Sequence, residues 1–164
     1  MGRIPDRWEA YSEFGKIIAG TRFLPLKVPL KEELCMQVSD ELWFTPACLQ
    51  KKVADLEGRC LGLVIDLTNT TRYYDYREFT YNNVDYVKIF CEGHVVPSSN
   101  VVRQFYEAID NFQRKSHSKD SVIAVHCTHG VNRTGYLVCR YMIERLSVAP
   151  TDAIKGRSTH AAPQ

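Results

Sequence analysis

The sequence lacks the segments that direct a chain into or across a membrane. Its N-terminus, Met-Gly-Arg-Ile-Pro-Asp, has no apolar signal region. No apolar run approaches the roughly 20 residues that a transmembrane helix needs. Asp6 stands where an N-myristoylation motif has Ser or Thr. We therefore expect no association with a membrane.

Paired cysteines and a large net charge are also absent. The six cysteines form no Cys-x-x-Cys pair, which favours reduced thiols in the cytosol or nucleus over a disulfide framework. The formal net charge is only +2, so any basic surface for nucleic acid must be local. With 164 residues, 45% of them hydrophobic, and no internal repeat, the chain suits one ordinary globular domain, expected to be a monomer.

The apolar pattern predicts strands that alternate with helices. The predicted elements are an edge strand within 21–30, a helix from Pro46 capped by Thr45, strands over 61–67, 86–90 and 122–126, a helix from Ser98 or Ser99 to about Arg114, and a helix from Asn132 to about Leu146. This order indicates an α/β fold with a central, mostly parallel sheet and helices on both faces.

Ligands of such sheets bind beyond the carboxyl ends of the strands. The loops 68–74, 91–97 and 127–133 should therefore meet at one edge. Their meeting nominates Asp66, Arg72 and His94 as neighbours of the group that reacts there.

The loop after the last strand has the composition of an anion site. Cys127 and Arg133 are separated by five residues, and a helix starts where the loop ends. Backbone N–H groups of a short arc, together with the positive end of a helix dipole, bind phosphate. That field stabilises a thiolate at Cys127, which is the nucleophilic form. Arg133 can grip two phosphate oxygens and follow the charge into the transition state.

The remaining residues of the loop are predicted to bind the phosphate. The predicted binding set is Thr128, His129, Gly130, Val131, Asn132, Arg133 and Thr134. The hydroxyl of Thr134 can donate to the thiolate or help it leave. Two other interpretations compete: Cys127 is a small core residue, or His126, Cys127 and His129 form a metal site with Cys91 and His94. Neither explains an arginine six positions after the cysteine at a helix start.

These motifs resemble a known family. The string His126-Cys127-Thr128-His129-Gly130-Val131-Asn132-Arg133-Thr134-Gly135 is similar to the signature of the cysteine-dependent phosphatases, and most similar to the RNA 5′-phosphatase subgroup of the atypical dual-specificity phosphatases. Further similarity lies in Ile4-Pro5-x-Arg7-Trp8, in 20–23, 64–70 and 72–74, and in Gly93-His94. The continuation 135–141 resembles stand-alone members of that subgroup, and no Lys-x-Asp-Gly nucleotidyltransferase motif is present.

The resemblance implies a function. Members of this subgroup remove the γ- and then the β-phosphate from RNA 5′ ends without metal or other cofactor, through a phosphocysteine at the position of Cys127. It also implies RNA 5′ triphosphate or diphosphate ends as substrates, ribonucleoprotein or splicing-related proteins as partners, and a nuclear location, with the cytoplasm as a second site.

The loop that usually supplies the general acid contains no aspartate. Protein phosphatases of this superfamily carry an Asp roughly thirty residues before the cysteine, where this chain has Glu-Gly-His-Val-Val-Pro at 92–97. A tyrosine leaving group has a pKa of about 10, whereas a phosphate leaving group has a second pKa of about 6 and departs without protonation. The missing Asp therefore favours phosphoanhydrides. Glu92 or His94 as a substitute acid is the less favoured alternative.

Five residues near the loop have less specific roles. Asp66 is expected to hold neighbouring loops through hydrogen bonds, and His126 to orient the loop backbone. Arg72, followed by Tyr73 and Tyr74, combines charge with stacking surfaces that suit a single-stranded RNA end. A solvated loop with packed tyrosines is the equal alternative for that segment.

The end of the chain departs from the family pattern. We expect the phosphatase domain to span 1–155, and 156–164 to form a disordered tail in place of a final amphipathic C-terminal helix, which is missing. The loss predicts an exposed apolar patch near the 136–146 helix. Three functions therefore stay open: an RNA 5′-triphosphatase, a phosphoprotein phosphatase, and a module that binds RNA 5′ ends with poor turnover.

Overall fold

The computed structural model describes residues 2–56, 58–115 and 120–157. The strands are β1 (Phe23–Leu26), β2 (Cys60–Asp66), β3 (Asp85–Lys88) and β4 (Ser121–His126). The α-helices are α1 (Glu32–Cys35), α2 (Pro46–Ala54), α3 (Arg77–Thr80), α4 (Ser99–Arg114), α5 (Asn132–Arg145) and α6 (Pro150–Arg157), and short 3-10 helices span Trp8–Ala10 and Asp40–Leu42.

The four strands form one parallel sheet in the order β1-β4-β2-β3. The predicted α/β class is confirmed, and β1, with Pro25 in it, lies at the end of the strand order, where a single antiparallel bridge from Phe14 to Leu26 is its other pairing in the described residues. Parallel pairing aligns the carboxyl ends of β2 and β4, with Asp66 beside His126. The site therefore forms at that edge.

Apolar side chains alternate between the two faces of the sheet. Ile65 and Val125 pack against α4 and α5 on one face, in a layer that includes Phe105 and Leu137. On the other face, Val64 packs in a layer built around residues of the N-terminal half: Trp8, Leu34, Phe44 and Leu49. Both faces are covered, as a parallel sheet requires.

Local signals fixed two of the helix starts. The Thr45 side chain accepts a hydrogen bond from the Cys48 backbone N–H, and Pro46 occupies the first turn of α2. The Ser98 side chain accepts from the N–H of Val101 at the start of α4. The buried positions of α4 are those that its apolar periodicity predicts.

The C-terminal end differs from the sequence expectation. α6 continues through Gly156 and Arg157, so the expected loss of structure at 156 is wrong for these two residues. Ala153 is fully buried and its carbonyl accepts from the Cys139 thiol, 3.3 Å away. A Cβ at Gly156 would lie 3.2 Å from Ile18, so a small residue permits this packing.

As a consequence, α6 covers much of the surface where an exposed apolar patch was expected. Among the described residues near α5, the exposed large apolar side chains are Leu146 and Ile154. The rest of the predicted tail, 158–164, lies outside the described residues. Within the described ranges, no helix is long and apolar enough to cross a membrane.

Candidate active site

The loop 127–131 connects the carboxyl end of β4 to the start of α5, at the centre of the sheet. The backbone of this loop packs closely against β1 at Gly130, where φ is +80°. A Cβ there would lie 2.4 Å from the carbonyl carbon and oxygen of Leu26 in β1. Only glycine fits this conformation and this contact. The Val28 N–H also donates to the Thr128 carbonyl at 3.1 Å, which fastens the loop to the segment after β1.

Cys127 lies at the floor of the loop, with 2% of its surface exposed. The helix behind it begins at Asn132 after Val131, which provides no side-chain cap. A helix start normally receives a capping oxygen for its first N–H groups. A helix without that cap offers those donors, and the positive end of its dipole, to a bound anion.

The Thr134 hydroxyl is fully buried behind the loop and has no hydrogen-bond partner within the described residues. The predicted bond to the Cys127 sulfur is therefore not formed. A buried unpaired hydroxyl is costly and implies a partner in another state. A sulfur carrying negative charge is the nearest chemical candidate, since Cys127 and Thr134 belong to the same loop and helix start.

The Arg133 guanidinium contacts two of the predicted loops and Leu67, the residue directly before the third loop. Its Nη1 donates to the carbonyl oxygens of Cys91 at 2.8 Å and Leu67 at 3.4 Å, and its Nη2 donates to Thr128 Oγ1 at 2.9 Å. Gly93 lies against the same guanidinium, because a Cβ there would be 3.7 Å from Arg133 Cζ. The predicted convergence of loops 68–74, 91–97 and 127–133 is thus present.

A cleft of about 710 Å³ opens above Cys127. Of the predicted site residues, it is lined by Cys127, Thr128, His129, Val131, Asn132, Arg133, Arg72 and His94. His94 is exposed and has φ +62°, a conformation that turns the 91–97 loop sharply. Gly130 and Thr134 lie beneath the surface of the cleft and shape the loop.

Asp66 and His126 do not line the cleft, and the nomination of Asp66 as a neighbour of the thiolate stays a prediction. Both are buried behind the loop. His126 Nδ1 lies 3.2 Å from the Cys127 carbonyl oxygen, and its Nε2 lies 2.7 Å from the Tyr74 hydroxyl. Asp66 accepts hydrogen bonds from Thr68, Tyr74, Tyr86 and Lys88. Asp66 therefore holds the start of the 68–74 loop through hydrogen bonds, as expected. His126 contacts the backbone of the phosphate loop, also as expected.

Burial and charge set the protonation of this cluster. Burial opposes ionisation of Asp66, but the Lys88 ammonium and the hydroxyls of Thr68 and Tyr86 together hold the pKa of its carboxyl below the usual value. Burial is also the largest influence on His126 and lowers the pKa of its imidazole, although the Asp66 charge acts in the opposite direction. The cluster is therefore a carboxylate beside a histidine that resists protonation.

The N-terminal segment forms a wall of the cleft that the sequence reasoning did not nominate. Arg3, Ile4, Pro5 and Asp6 line it. Arg72 Nη1 donates to the Arg3 carbonyl at 2.6 Å, and His129 Nε2 donates to the Asp6 carbonyl at 2.6 Å. The only available signal was the Ile4–Trp8 motif, which by itself gives no position in space.

Lys27 anchors the chain directly after this segment through hydrogen bonds. Its Nζ donates to the carbonyls of Trp8 at 2.9 Å and Tyr11 at 2.6 Å, and lies 3.6 Å from the centre of the Trp8 indole. Burial lowers the pKa of Lys27 to about 8. Because Leu26 supports Gly130 and Lys27 follows it, the phosphate loop and the N-terminal wall share one support.

The family model for the dual-specificity phosphatase catalytic domain matches residues 42–158. The chain belongs to the dual-specificity phosphatase family. Its membership confirms the phosphatase class that the resemblance of residues 126–135 implied.

Relatives share sequence over nearly the whole chain. The cattle RNA/RNP complex-1-interacting phosphatase is 44% identical over 152 residues, which cover 93% of this chain and 45% of that protein. A putative tyrosine-protein phosphatase 1 of the Orgyia pseudotsugata multicapsid polyhedrosis virus is 47% identical over 92% of this chain and 66% of the viral protein. The chain spans less than half the length of the mammalian relatives.

Solved structures support the fold alone. The phosphatase PTPMT1 aligns over 90% of this chain and 82% of its own with a TM-score of 0.62 and 16% sequence identity. Tk-PTP, in its active form, aligns over 88% of this chain and 82% of its own, with a TM-score of 0.59 and 16% identity.

In this phosphatase Tyr73 and Tyr74 are packed rather than available for stacking. This favours the interpretation of residues 72–74 as a loop with packed tyrosines over a stacking surface for RNA. Both are buried, and the Arg72 guanidinium lies 4.4 Å from the centre of the Tyr73 ring. Of residues 72–74, Arg72 and Tyr73 line the cleft, and Arg72 is the exposed one of the two. The exposed aromatic side chains near the site are instead Tyr76 and Phe90, which sequence reasoning did not nominate.

The alternative metal hypothesis finds no support in the arrangement of its residues. Among residues 2–56, 58–115 and 120–157, no group of three or more His, Cys, Asp or Glu side chains could hold a metal ion. Cys91 is buried, and its carbonyl contacts Arg133. Just beyond α4, Lys115 pairs with Asp85 at 2.7 Å.

Proposed function

We propose that this phosphatase removes the γ- and β-phosphates from RNA 5′ ends without a metal ion, through a phosphocysteine at Cys127. The observation that supports this most directly is the composition of the cleft wall opposite the phosphate loop. Gly93, His94, Val95, Val96 and Pro97 line that wall and include no carboxylic acid. An anhydride substrate needs none, because its phosphate leaving group has a second pKa of about 6.

The charge of the cleft suits a polyphosphate. Arg3, Arg72 and Arg133 line it. Asp6 is the one acidic side chain among the described residues that do so. Several guanidinium groups converging on one cleft favour a substrate with several phosphate groups over one with a single phosphate. The name of the mammalian relatives, which states an interaction with an RNA/RNP complex, agrees with RNA as the bearer of that polyphosphate.

The reaction balances with the groups that are present. The Cys127 thiolate attacks the γ-phosphorus, a sulfur–phosphorus bond forms, and the bridging oxygen leaves with the β-phosphate. Arg133 exchanges its carbonyl partners for phosphate oxygens as the charge develops. Water then attacks phosphorus, inorganic phosphate departs, and the thiolate returns with the Thr134 hydroxyl as a donor.

Parallel rates on two substrates test the proposal. Triphosphate-ended RNA and a phosphotyrosine peptide are compared with and without EDTA, with Cys127→Ser as the inactive control. We expect faster phosphate release from RNA, no effect of EDTA, and loss in Cys127→Ser. Faster release from the peptide contradicts the proposal and favours a phosphoprotein phosphatase. Tight RNA binding without any release by the wild type favours a binding module.

Asp6→Asn and His94→Gln test the absence of a general acid. Because the leaving group needs no proton, we expect both variants to keep RNA rates within a few-fold of the wild type. A loss of 100-fold or more in either, together with a changed alkaline limb of the pH profile, would identify an acid and contradict this part of the proposal.

By resemblance we also propose that the protein works in the nucleus beside ribonucleoprotein or splicing-related partners. A fluorescent fusion of the full chain tests this, with nuclear enrichment expected. Exclusion from the nucleus contradicts it.

A further inference from the structure

A second groove of about 660 Å³ lies beside the catalytic cleft. We call it the aromatic groove and define it by Tyr73, Tyr76, Tyr86, Lys88 and Phe90, which all line it. It lies where β2 and β3 end, at the same edge of the sheet as the phosphate loop. Tyr73 lines both the cleft and the groove, so the two are adjacent and share this side chain as a wall.

The groove exposes flat aromatic surface. Phe90 is 58% exposed and Tyr76 is 50% exposed. The Tyr76 and Tyr86 rings are stacked, with centroids 5.2 Å apart and planes at 24°. Exposed aromatic side chains grouped at the rim of a concave surface mark a binding site more often than isolated ones do.

The charged groups of the groove are already paired: Asp75 with Arg77 at 2.7 Å, and Asp66 with Lys88. Lys88 Nζ donates to Asp66 Oδ1 at 3.0 Å, to Thr68 Oγ1 at 2.7 Å and to the Thr70 carbonyl at 2.6 Å. The Asp66 carboxylate also accepts from the Tyr86 hydroxyl at 2.5 Å. Because Lys88 is already paired, the described residues of the groove offer no free positive charge to bind a phosphate. It suits a neutral, flat group that stacks on the aromatic side chains.

Arg72 stands between the two cavities. It is exposed, it lines the catalytic cleft, and its guanidinium covers the face of Tyr73. From the phosphate loop outward, the surface offers a site for terminal phosphates, then Arg72 for a backbone phosphate, then the groove for a base. A ligand in which charged groups alternate with flat aromatic groups matches this order. Single-stranded nucleic acid has that alternation, and base stacking on aromatic side chains is its usual mode of recognition.

We propose that the aromatic groove is a subsite for a nucleobase of the RNA chain, downstream of the 5′ nucleotide. This rests on the proposed function, because it requires RNA in the catalytic cleft. Tyr76 and Phe90 supply the stacking surfaces. The subsite adds affinity for an RNA chain that a free nucleoside triphosphate cannot use.

The test compares two substrates across a small set of variants. Tyr76→Ala and Phe90→Ala are assayed on a triphosphate-ended oligonucleotide of about ten nucleotides and on a nucleoside triphosphate. Stacking contributes about 1–3 kcal/mol per base, so we expect kcat/KM on the oligonucleotide to fall about 5- to 150-fold. The rate on the nucleoside triphosphate should stay unchanged.

Two control variants test whether losing any exposed aromatic side chain, rather than one in the groove, lowers the rate. Tyr81 is 76% exposed and does not line the groove, so Tyr81→Ala should leave both rates unchanged. Phe90→Trp keeps a stacking surface and should retain the oligonucleotide rate.

Each outcome decides a different question. Equal losses on both substrates, or no loss on the oligonucleotide, overturn the subsite while the proposed function stands. Losses confined to a phosphotyrosine peptide overturn it in favour of a peptide groove. A wild type that releases no phosphate from RNA overturns both the proposed function and the subsite.

Discussion

Arg133 Nη1 donates a 2.8 Å hydrogen bond to the carbonyl oxygen of Cys91. The arginine that closes the phosphate loop is thus held by the loop that, in related protein phosphatases, supplies the general acid. The contact holds the guanidinium over the cleft, and it must be exchanged when phosphate oxygens arrive. This relationship explains why a loop without an acid still contributes to the site.

Arg133→Lys tests whether the planar fork is required. A lysine has no bidentate geometry and cannot bridge phosphate oxygens in the transition state. We expect kcat on triphosphate RNA to fall at least about 100-fold, comparable to losing one strong oxyanion donor. Arg103→Lys, on the exposed face of α4, is the matched control and should change nothing. Near-normal turnover by Arg133→Lys would refute the assigned role.

Gly130→Ala tests the packing beneath the loop. The new Cβ meets the Leu26 backbone at 2.4 Å, and φ is +80°. We expect a loss of roughly 2–4 kcal/mol in unfolding free energy from strain and overpacking, with a large loss of activity. Gly20→Ala has a similar φ of +77° but open space, so it should cost only about 1 kcal/mol. Equal costs in denaturant melts would show that the contact with Leu26 does not matter.

Tyr74→Phe removes the hydroxyl that lies between Asp66 and His126. The buried His126 Nε2 would lose its 2.7 Å partner, so we expect a cost of about 1–3 kcal/mol in unfolding free energy. Tyr81→Phe, on an exposed ring, should stay within about 0.5 kcal/mol of the wild type. If Tyr74→Phe left the unfolding free energy unchanged, the cluster of Asp66, Tyr74 and His126 would not support the loop.

The pH dependence of stability should report His126. Burial lowers the pKa of this imidazole in the folded state, whereas the unfolded chain takes up a proton near pH 6.5. The unfolded state therefore binds more protons below that pH, and the stability contributed by His126 falls as the pH falls, by up to about 1.4 kcal/mol per pH unit.

The measurement is the difference in unfolding free energy between the wild type and His126→Gln from pH 7.5 to 5. We expect this difference to shrink as the pH falls. A constant difference for His126→Gln would show that the buried imidazole does not titrate abnormally.

Local sequence predicted most of the scaffold for physical reasons that act over short distances. The Thr45 cap, the near-continuous apolar run at 61–67 and the periodicity of α4 each depend on nearby residues. The meeting of the three loops also followed, because parallel strands end at one edge and Arg133 bridges from there.

Features that depend on distant contacts did not follow from the sequence. The N-terminal wall exists because Lys27 and His129 bind carbonyls of residues far away in the chain. Which aromatic side chains face solvent was equally invisible: Tyr74 is buried by its bond to His126, while Phe90 is exposed. α6 depends on the small residue Gly156 at its contact with Ile18.

The most direct test of the central claim is transfer of label from RNA radiolabelled at its γ-phosphate. The reaction runs in EDTA and is stopped with acid, and the protein is then digested to locate the label. Our account predicts label on the peptide that contains Cys127 in the wild type, and none with Cys127→Ser or with RNA labelled only at the α-phosphate. Phosphate release that needs a metal ion, or that persists in Cys127→Ser, would contradict it.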